Sequence, residues 1–250
     1  MENTITIREC TTLDQLAECV QLQREVFELP EVELSPVRHF VVTKNAGGFT
    51  LGAYDDGGRL AGYVLSVPAF MRGERAFYSH MTGVRKEYQS LGVGRQLKWA
   101  QRERAQAEGV KFIKWTFEPV KARNGYFNLE KLGAIVTEYE RNFYGTDYAV
   151  SPESGKQIGL QSDRLFAEWH LEGDKVKTLA GGGQWKETRE PEAEIEVVND
   201  WSGLVGADPE AGLKLQLRVR GEFEAALARG LHAGGFERDE ARPRYLLFRN

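Results

Sequence analysis

A glycine-containing loop between a strand and a helix is the feature that most limits what this chain can fold into. Residues 84–95 lie between an apolar run and an amphipathic stretch, and they include Gly92 and Gly94. Glycines at alternate positions let backbone N–H groups converge, because no Cβ stands in the way. The helix that follows adds its first free N–H groups and the positive end of its dipole. The loop therefore predicts an anion cradle sized for phosphate or pyrophosphate, although a plain strand-to-helix turn would also use two glycines.

Two nucleotide-binding patterns are disfavoured by the same residues. The P-loop needs Gly-x-x-x-x-Gly-Lys-Ser/Thr, which this sequence lacks. The dinucleotide fingerprint Gly-x-Gly-x-x-Gly fails because Leu97 stands where the third glycine is needed. Arg95 and Lys98 fall in the first turn of the predicted helix, where they would add positive charge to the cradle.

The hydrophobic periodicity predicts the order β-α-(α)-β-β-β-α-β-α-β over residues 1–145. The later part of the chain is less regular. A helix is favoured over residues 208–229 because apolar residues repeat every four positions, although residues 213–219 also alternate as a strand would. The later strands are predicted at residues 165–171, 195–198 and 244–248.

The loop resembles a motif of a known superfamily. Residues 89–94 read Gln-Ser-Leu-Gly-Val-Gly, which matches the Gln/Arg-x-x-Gly-x-Gly/Ala motif of the GNAT (Gcn5-related N-acetyltransferase) superfamily. The sequence Lys-Leu-Gly-Ala at residues 131–134 is similar to the Lys-Leu-Gly-Phe ending of that family's next helix. The resemblance covers roughly the first three-fifths of the chain.

The resemblance implies an α+β fold, in which helices flank a central mixed, mostly antiparallel sheet. Residues 1–171 would form the acyl-CoA-binding core, with 165–171 supplying its final strand. Residues 172–250 would form a C-terminal β-α-β extension that packs on the core or extends its sheet.

The resemblance also implies acetyl-CoA, or another acyl-CoA, as the cofactor. The backbone of the strand before the loop would pair with pantetheine, and one of its N–H groups would polarise the thioester carbonyl. The loop backbone would bind the pyrophosphate, and the helix over residues 121–132 would flank the thiol. The residues predicted to bind the cofactor are Thr82, Gly83, Val84, Gln89, Ser90, Leu91, Gly92, Val93, Gly94, Arg95 and Asn124.

The usual acid of the family is missing from its expected place. Many members carry a tyrosine four residues before the glycine of Lys-Leu-Gly, and it protonates the departing thiolate. Counting back from Gly133 gives Leu129, which cannot donate a proton. Tyr126 would substitute only if the helix is displaced, and Asn128 would hydrogen-bond without acting as an acid.

Two residues are candidates for the base. His80 lies on the strand before the loop, and even spacing predicts that it shares a face with Thr82 and Val84. Glu118 ends the following strand, near where the acceptor would enter. Each also has a simpler interpretation, as a structural histidine and as a solvated carboxylate.

Composition sets the remaining expectations. Thirty-three Lys and Arg residues against 37 Asp and Glu residues give a net charge of −4, so no overall field draws the chain to nucleic acid or an anionic membrane. Its two cysteines, Cys10 and Cys19, have no zinc spacing, and no leader or membrane span is visible, which predicts a cytoplasmic protein without a metal.

The predicted function is acyl-CoA-dependent N-acyl transfer, with the amine of a small molecule or protein attacking the thioester directly. The alternative is a non-catalytic acyl-CoA-binding protein of the same fold, motivated by Leu129. Self-association as a homodimer is left open.

Overall fold

Strands and helices alternate along the chain much as the periodicity predicts. The computed structural model describes residues 4–27, 31–145 and 160–249, and these contain ten strands and seven α-helices. The strands are β1 Thr6–Glu9, β2 Phe49–Tyr54, β3 Leu60–Met71, β4 Glu74–Val84, β5 Phe112–Phe117, β6 Ile135–Glu140, β7 Arg164–His170, β8 Ala193–Glu196, β9 Leu231–Glu237 and β10 Arg244–Arg249. The helices are α1 Leu13–Phe27, α2 Val37–Asn45, α3 Val93–Gln106, α4 Ala122–Tyr126, α5 Asp174–Ala180, α6 Trp201–Ala207 and α7 Pro209–Ala228.

The chain divides into two compact units, Met1–Lys114 and Trp115–Asn250. In the first unit the strand order is β1-β2-β3-β4-β5, and every pairing is antiparallel except that of β4 with β5. Side chains of β3 alternate between its two faces: Tyr63 and Leu65 join a core with α1 and α2, whereas a Cβ at Gly62 would meet Leu97 of α3. Helices α1 and α2 therefore cover one face of this sheet and α3 covers the other.

Helix α1 begins directly after a reciprocal pair of hydrogen bonds between Thr12 and Gln15. The backbone N–H of Gln15 donates to Thr12 Oγ1 at 3.3 Å, and the Gln15 side chain accepts from the backbone N–H of Thr12 at 3.1 Å. This reciprocal pair is a capping box, which satisfies donors that the first turn leaves free. Thr12 is thus the capping residue of α1.

A β-bulge interrupts β4 at His80. Leu65 of β3 lies opposite Met81, but its neighbour Ser66 lies opposite Ser79, so His80 is an additional residue without a partner on β3. Such a bulge breaks the strict alternation of side chains along a strand. The expectation that His80 shares a face with Thr82 and Val84 is therefore wrong.

Contacts of β4 show which face of the sheet each residue near the bulge occupies. Met81 accepts a hydrogen bond from the Tyr63 hydroxyl on the face covered by α1 and α2, and His80 contacts Ser35 and His39 on that same face. Val84 instead lies 3.7 Å from the position of a Cβ on Gly94 in α3.

In the second unit the strands follow the order β5-β7-β6-β9-β10-β8, beginning with the last residues of β5. The recorded pairings β6–β7, β6–β9, β9–β10 and β10–β8 are antiparallel. The mixed, mostly antiparallel sheet flanked by helices is thereby confirmed.

The C-terminal part contains more elements than predicted. Helix α7 confirms the helical interpretation of residues 208–229, whereas β9, α5 and α6 were not predicted. Strand β9 is hidden in the sequence by Gly234 and Gly235, which are typical of a turn but here accompany a register shift opposite Leu246 and Leu247. The division of compact units lies inside β5, and the predicted boundary between a core and an extension at residue 171 stays a prediction.

Candidate functional site

Strand β4 leaves part of its backbone edge without a strand partner. Its parallel pairing with β5 is recorded at Phe77 with Ile113 and at Tyr78 with Lys114, and nowhere else among the described residues. On its other edge, Thr82, Gly83 and Val84 pair with β3. The peptide groups of residues 82–84 that face away from β3 are consequently placed to pair with an extended ligand.

The loop after β4 folds into an open cradle. Ser90 and Gly92 have positive φ angles of 66° and 82°, and α3 begins at Val93. Gly92 is the N-cap residue, and no side chain of the described residues caps the first turn. The N–H groups of that turn, together with the positive dipole end, therefore point at space that an anion can fill.

The space around the two glycines supports this interpretation. A Cβ at Gly92 would meet no described heavy atom within 4 Å, and one at Gly94 would meet Val84 Cγ2 at the ordinary distance of 3.7 Å. The packing of the described chain does not itself fill the space at either position. These residues fit a phosphate-bearing group such as the pyrophosphate of an acyl-CoA.

Three side chains just before the cradle anchor the loop through hydrogen bonds to neighbouring strands and turns. Gln89 Nε2 donates to the carbonyl of Val84 at 3.1 Å, so this side chain braces the loop. The Tyr88 hydroxyl donates to Asp55, which lowers the pKa of that carboxyl, and Arg85 Nε donates to the carbonyl of Leu60 at 2.7 Å. Sequence reasoning missed Tyr88 and Arg85, because nothing in the local pattern shows which distant residues they contact.

Lys98 does not add charge to the cradle as predicted. Its side chain is buried and donates from Nζ to Ser79 Oγ at 3.0 Å, on the α3 face of β4. Burial holds the pKa of this amine well below its ordinary value. Lys98 therefore secures helix α3 to the strand next to the bulge.

His80 is part of a polar cluster on the other face. Its Nε2 lies 3.3 Å from Ser35 Oγ, and its ring packs edge-on against that of His39 with 5.4 Å between centroids. Burial, with a smaller contribution from His39, lowers the pKa of His80 below its ordinary 6.5. The imidazole is therefore neutral at pH 7 and able to accept a proton.

In the second unit, Glu118 and Asn124 are brought together after β5. Asn124 Nδ2 donates to Glu118 Oε2 at 3.3 Å, and Lys121 Nζ lies 2.6 Å from Glu118 Oε1. Arg164 Nη1 lies 3.8 Å from the same oxygen. The carboxylate predicted as a base is thus compensated by two cations.

The segment predicted to carry the acid is irregular. After α4 the chain continues as a π-helix, Phe127–Lys131, in place of the unbroken helix predicted over 121–132. Asn128 is buried and its Oδ1 accepts from Trp115 Nε1 at 3.2 Å, while Leu129 has no exposed surface. The Tyr126 ring lies 5.0 Å from Lys131 Nζ and 5.5 Å from Arg238 Cζ.

A small cavity adjoins Glu118. It has a volume of about 40 Å³, and its lining includes Arg164, Trp201 and Gln216. Gln216 Oε1 is buried and has no hydrogen-bond partner among the described residues. Helices α6 and α7 thereby contribute side chains next to the predicted base.

Within residues 4–27, 31–145 and 160–249, no three His, Cys, Asp or Glu side chains are grouped to hold a metal ion. Over the same part of the chain, no helix combines the length and the hydropathy that crossing a bilayer requires. Cys10 and Cys19 are both buried and free.

Comparison with known proteins gives a consistent result. Residues 13–134 match the family model described as the acetyltransferase (GNAT) family. No curated protein matches the chain.

Several solved structures share the fold at low sequence identity. One is a putative acetyltransferase from Acinetobacter baylyi, with 17% identity and a TM-score of 0.55, covering 69% of this chain and 96% of that one. Another is the ribosomal-protein-S18-alanine N-acetyltransferase of Escherichia coli, with 16% identity and a TM-score of 0.50, covering 68% and 97%. A third is a chain of the NatC complex bound to Gag peptide and CoA, with 17% identity and a TM-score of 0.51, covering 67% and 98%.

Proposed function

We propose that the protein transfers an acyl group, most simply acetyl, from its coenzyme A thioester to the amine of an acceptor, because residues 13–134 match the acetyltransferase (GNAT) family model. A small molecule or a protein would supply that amine. The observation that carries the proposal is the cradle between β4 and α3, where uncapped helix N–H groups meet open space above Gly92 and Gly94.

The cradle suits an acyl-CoA because its donors are backbone groups. A pyrophosphate needs several N–H donors at one place, and the first turn of α3 supplies them without any side chain. The peptide groups of Thr82, Gly83 and Val84 on the edge away from β3 are proposed to pair with the pantetheine arm. Acyl-CoA would supply the activated carbonyl, and these residues would bind and orient it.

The chain offers two proton acceptors for an amine. His80 is the stronger candidate, because its neutral imidazole is available at pH 7. Both carboxylate oxygens of Glu118 are already engaged, by Lys121 and by Asn124. For the acid, Leu129 offers no proton, so the departing thiolate would take its proton from His80 or from water.

A binding experiment tests the cradle. The double substitution Gly92→Asp with Gly94→Asp places two carboxylates at the proposed pyrophosphate site, and we expect acetyl-CoA to bind at least about 100-fold more weakly in calorimetry. The matched control is Gly206→Asp with Gly221→Asp, since both glycines lie in helices where a Cβ meets no described atom within 4 Å. Equal affinity of the cradle variant and the wild type would contradict the proposal.

Catalysis is tested separately with a panel of amines and detection of free thiol. Amine-dependent release of CoA supports an acyltransferase. Tight binding of acetyl-CoA with no release for any amine would instead favour the non-catalytic acyl-CoA-binding protein.

A further inference from the structure

The hydroxyl of Ser35 contacts one of the two nitrogens of the His80 ring. Ser35 Oγ lies 3.3 Å from Nε2, although the two residues are 45 positions apart in the chain. The ring is half-buried, and Nδ1 has no hydrogen-bond partner among the residues that the structure describes. The two ring nitrogens are therefore not equivalent, because the contact with Ser35 decides which of them carries the proton of the neutral ring.

Ser35 is held in place through its backbone. Gln23 is fully buried, and its Oε1 accepts from the Ser35 N–H at 3.0 Å while its Nε2 donates to the Ser35 carbonyl at 3.1 Å. Both polar groups of the Ser35 backbone are thereby fixed by one side chain, and neither bond uses the hydroxyl. The position of Ser35 Oγ is consequently set without help from His80, as is needed in a group that orients another.

The imidazole is placed by the bulge of β4. His80 is the residue of that bulge without a partner on β3, and it lies on the face covered by α1 and α2. It comes two residues before Thr82, which begins the segment proposed to pair with pantetheine. The bulge therefore brings the proposed base to the sheet face on which Ser35 is held.

The surroundings of His80 contain one other imidazole and no charged partner. The His39 ring of α2 packs edge-on against it, with 5.4 Å between centroids. Titratable or charged groups on the neighbouring elements β3, α3 and α1 are bonded to other residues: Tyr63 to Met81, Lys98 to Ser79, Arg24 to Glu31 and Glu25 to Arg85. Among the described residues, none forms an ion pair with His80, and Ser35 is its only hydrogen-bond partner.

One tautomer keeps the contact with Ser35 unchanged while His80 takes up a proton. With the ring proton on Nε2, this N–H donates to Ser35 Oγ, and the lone pair of Nδ1 is available to an amine. The imidazolium that forms still donates from Nε2 to the same oxygen, so no group has to rotate. With the proton on Nδ1, the lone pair of Nε2 would instead be occupied by the serine hydroxyl.

We infer that Ser35, held by Gln23, is a positioning residue whose oxygen accepts from Nε2–H of His80 and leaves Nδ1 to take the proton of the acceptor amine. In that reaction the amine nitrogen bonds to the acyl carbon, and its N–H proton passes to Nδ1. The electron pair of the C–S bond leaves with the sulfur, which takes a proton from His80 or from water. The inference rests on the proposed function and retains direct attack of the amine on the thioester.

Histidine NMR tests the tautomer without any substrate. The chain contains four histidines, so long-range ¹H–¹⁵N spectra of the labelled full-length protein can resolve each ring, and His80→Gln assigns the one in question. At a pH well above the pKa of His80, we expect the ¹⁵N shift of a protonated nitrogen at Nε2 and of an unprotonated one at Nδ1. The reverse pattern, or intermediate shifts at both nitrogens, overturns the inference.

Substitution of Ser35 changes the same spectra. Ser35→Ala removes the acceptor of Nε2–H, so we expect intermediate shifts from two exchanging tautomers. The pKa of His80 should also fall by about 1, because the imidazolium loses a charge-assisted hydrogen bond. Ser35→Thr keeps the hydroxyl and is expected to restore the wild-type tautomer.

The matched control is Ser202→Ala, a change at an exposed serine of α6, which should leave the His80 signals unaltered. The backbone bonds from Gln23 do not involve the Ser35 hydroxyl, so Ser35→Ala is expected to fold, as checked by thermal melting.

The pH profile of the reaction is the second readout, measured with the most reactive amine of the panel. In the wild type we expect kcat/KM to decrease below the pKa of His80 found by NMR. In Ser35→Ala this acidic limb should move down by about 1 together with that pKa, and kcat at pH 7 should fall at least about 10-fold while KM for acetyl-CoA stays within about 2-fold. A merely structural role of Ser35 would change stability without moving the limb.

The outcomes separate the two proposals. Amine-dependent release of thiol by a wild type whose His80 carries its proton on Nδ1 overturns the positioning role and leaves the proposed function standing. The same holds if Ser35→Ala changes neither the rate nor the acidic limb. Absence of release with every amine overturns the proposed function, and the inference with it.

Discussion

Two strand-to-helix junctions in this protein differ in whether side chains satisfy their polar groups. Between β4 and α3 the loop is shaped by positive φ angles at Ser90 and Gly92, and the helix begins without a side-chain cap. Between β5 and α4 the polar side chains engage one another, as Glu118 does with Lys121 and Asn124. The first junction leaves the N–H groups of its helix uncapped, whereas the second pairs its polar side chains with one another.

The contrast shows which sites a single sequence can reveal. A site built from backbone groups needs glycines at set positions, and those positions form a motif. A site built from side chains depends on which distant residues come together, and no local pattern records that. Four predictions, from the largest expected effect to the smallest, test whether the two junctions differ in this way.

The largest effect is expected at Asn128, after the second junction. Asn128→Ala removes the buried oxygen that accepts from Trp115 Nε1 and opens a void, so we expect the free energy of unfolding to fall by about 3 kcal/mol. Urea denaturation measures the loss. Asn45→Ala is the control, because Asn45 is exposed, and a change there is expected to cost less than about 0.5 kcal/mol. A loss below about 1 kcal/mol at Asn128 would contradict the structural role assigned to it.

Restoring a phenol at the position of the missing acid is expected to fail. Leu129 has no exposed surface, so Leu129→Tyr overpacks the core and costs about 1–3 kcal/mol without raising the rate of thiol release. Leu129→Met conserves volume and is expected to cost less than about 1.5 kcal/mol. A tyrosine variant that is as stable as the wild type and faster would show that residue 129 faces the reacting groups.

The two cradle glycines are expected to respond with opposite signs. Gly92→Ala forces a left-handed residue and lowers the free energy of unfolding by about 1–2 kcal/mol. Gly94→Ala lies inside α3 with ordinary space for its Cβ, and it is expected to raise that free energy by about 0.5–1 kcal/mol. Thermal and urea unfolding of both variants measure these changes. Equal losses in the free energy of unfolding would mean that the cradle is tightly packed.

The smallest effect is a dependence of stability on pH. The pKa of His80 is lower in the folded protein than its ordinary 6.5. Below about pH 6.5 the unfolded chain therefore binds a proton at His80 more readily than the folded chain does. The free energy of unfolding should therefore decrease as the pH falls through 6.5 toward the folded pKa. His80→Gln is expected to flatten this slope in part, since burial lowers the pKa of His232 in the same direction. An unchanged slope would mean that His80 is solvated.

Much of the fold could be predicted, because amphipathic periods and capping residues act locally. The strand-loop-helix order around residues 84–95 and the helix over residues 208–229 are of this kind. Strand β9 could not be predicted, since its glycine pair is typical of turns and only pairing with β10 makes it a strand. The backbone part of the candidate site was predictable for the same local reason.

For the side chains of the candidate site, only the residue types could be predicted from the sequence. His80 was named, but the bulge that turns it toward Ser35 depends on the register between β3 and β4. Ser35 carried no signal at all, because its position is fixed by Gln23, 12 residues earlier. Lys98 was expected at the cradle, yet the strand beneath α3 supplies Ser79 as its partner.

The bulge at His80 also makes one residue dispensable to the architecture of its strand. Leu65 already faces Met81 and Ser66 already faces Ser79, so a chain lacking residue 80 would keep each of these pairs and the face of every other side chain. What such a deletion would remove is the local bend and the imidazole beside Ser35. Residue 80 is thus an insertion into a ladder that is complete without it. Deletion of residue 80 would therefore separate the contribution of β4 to folding from its contribution to chemistry.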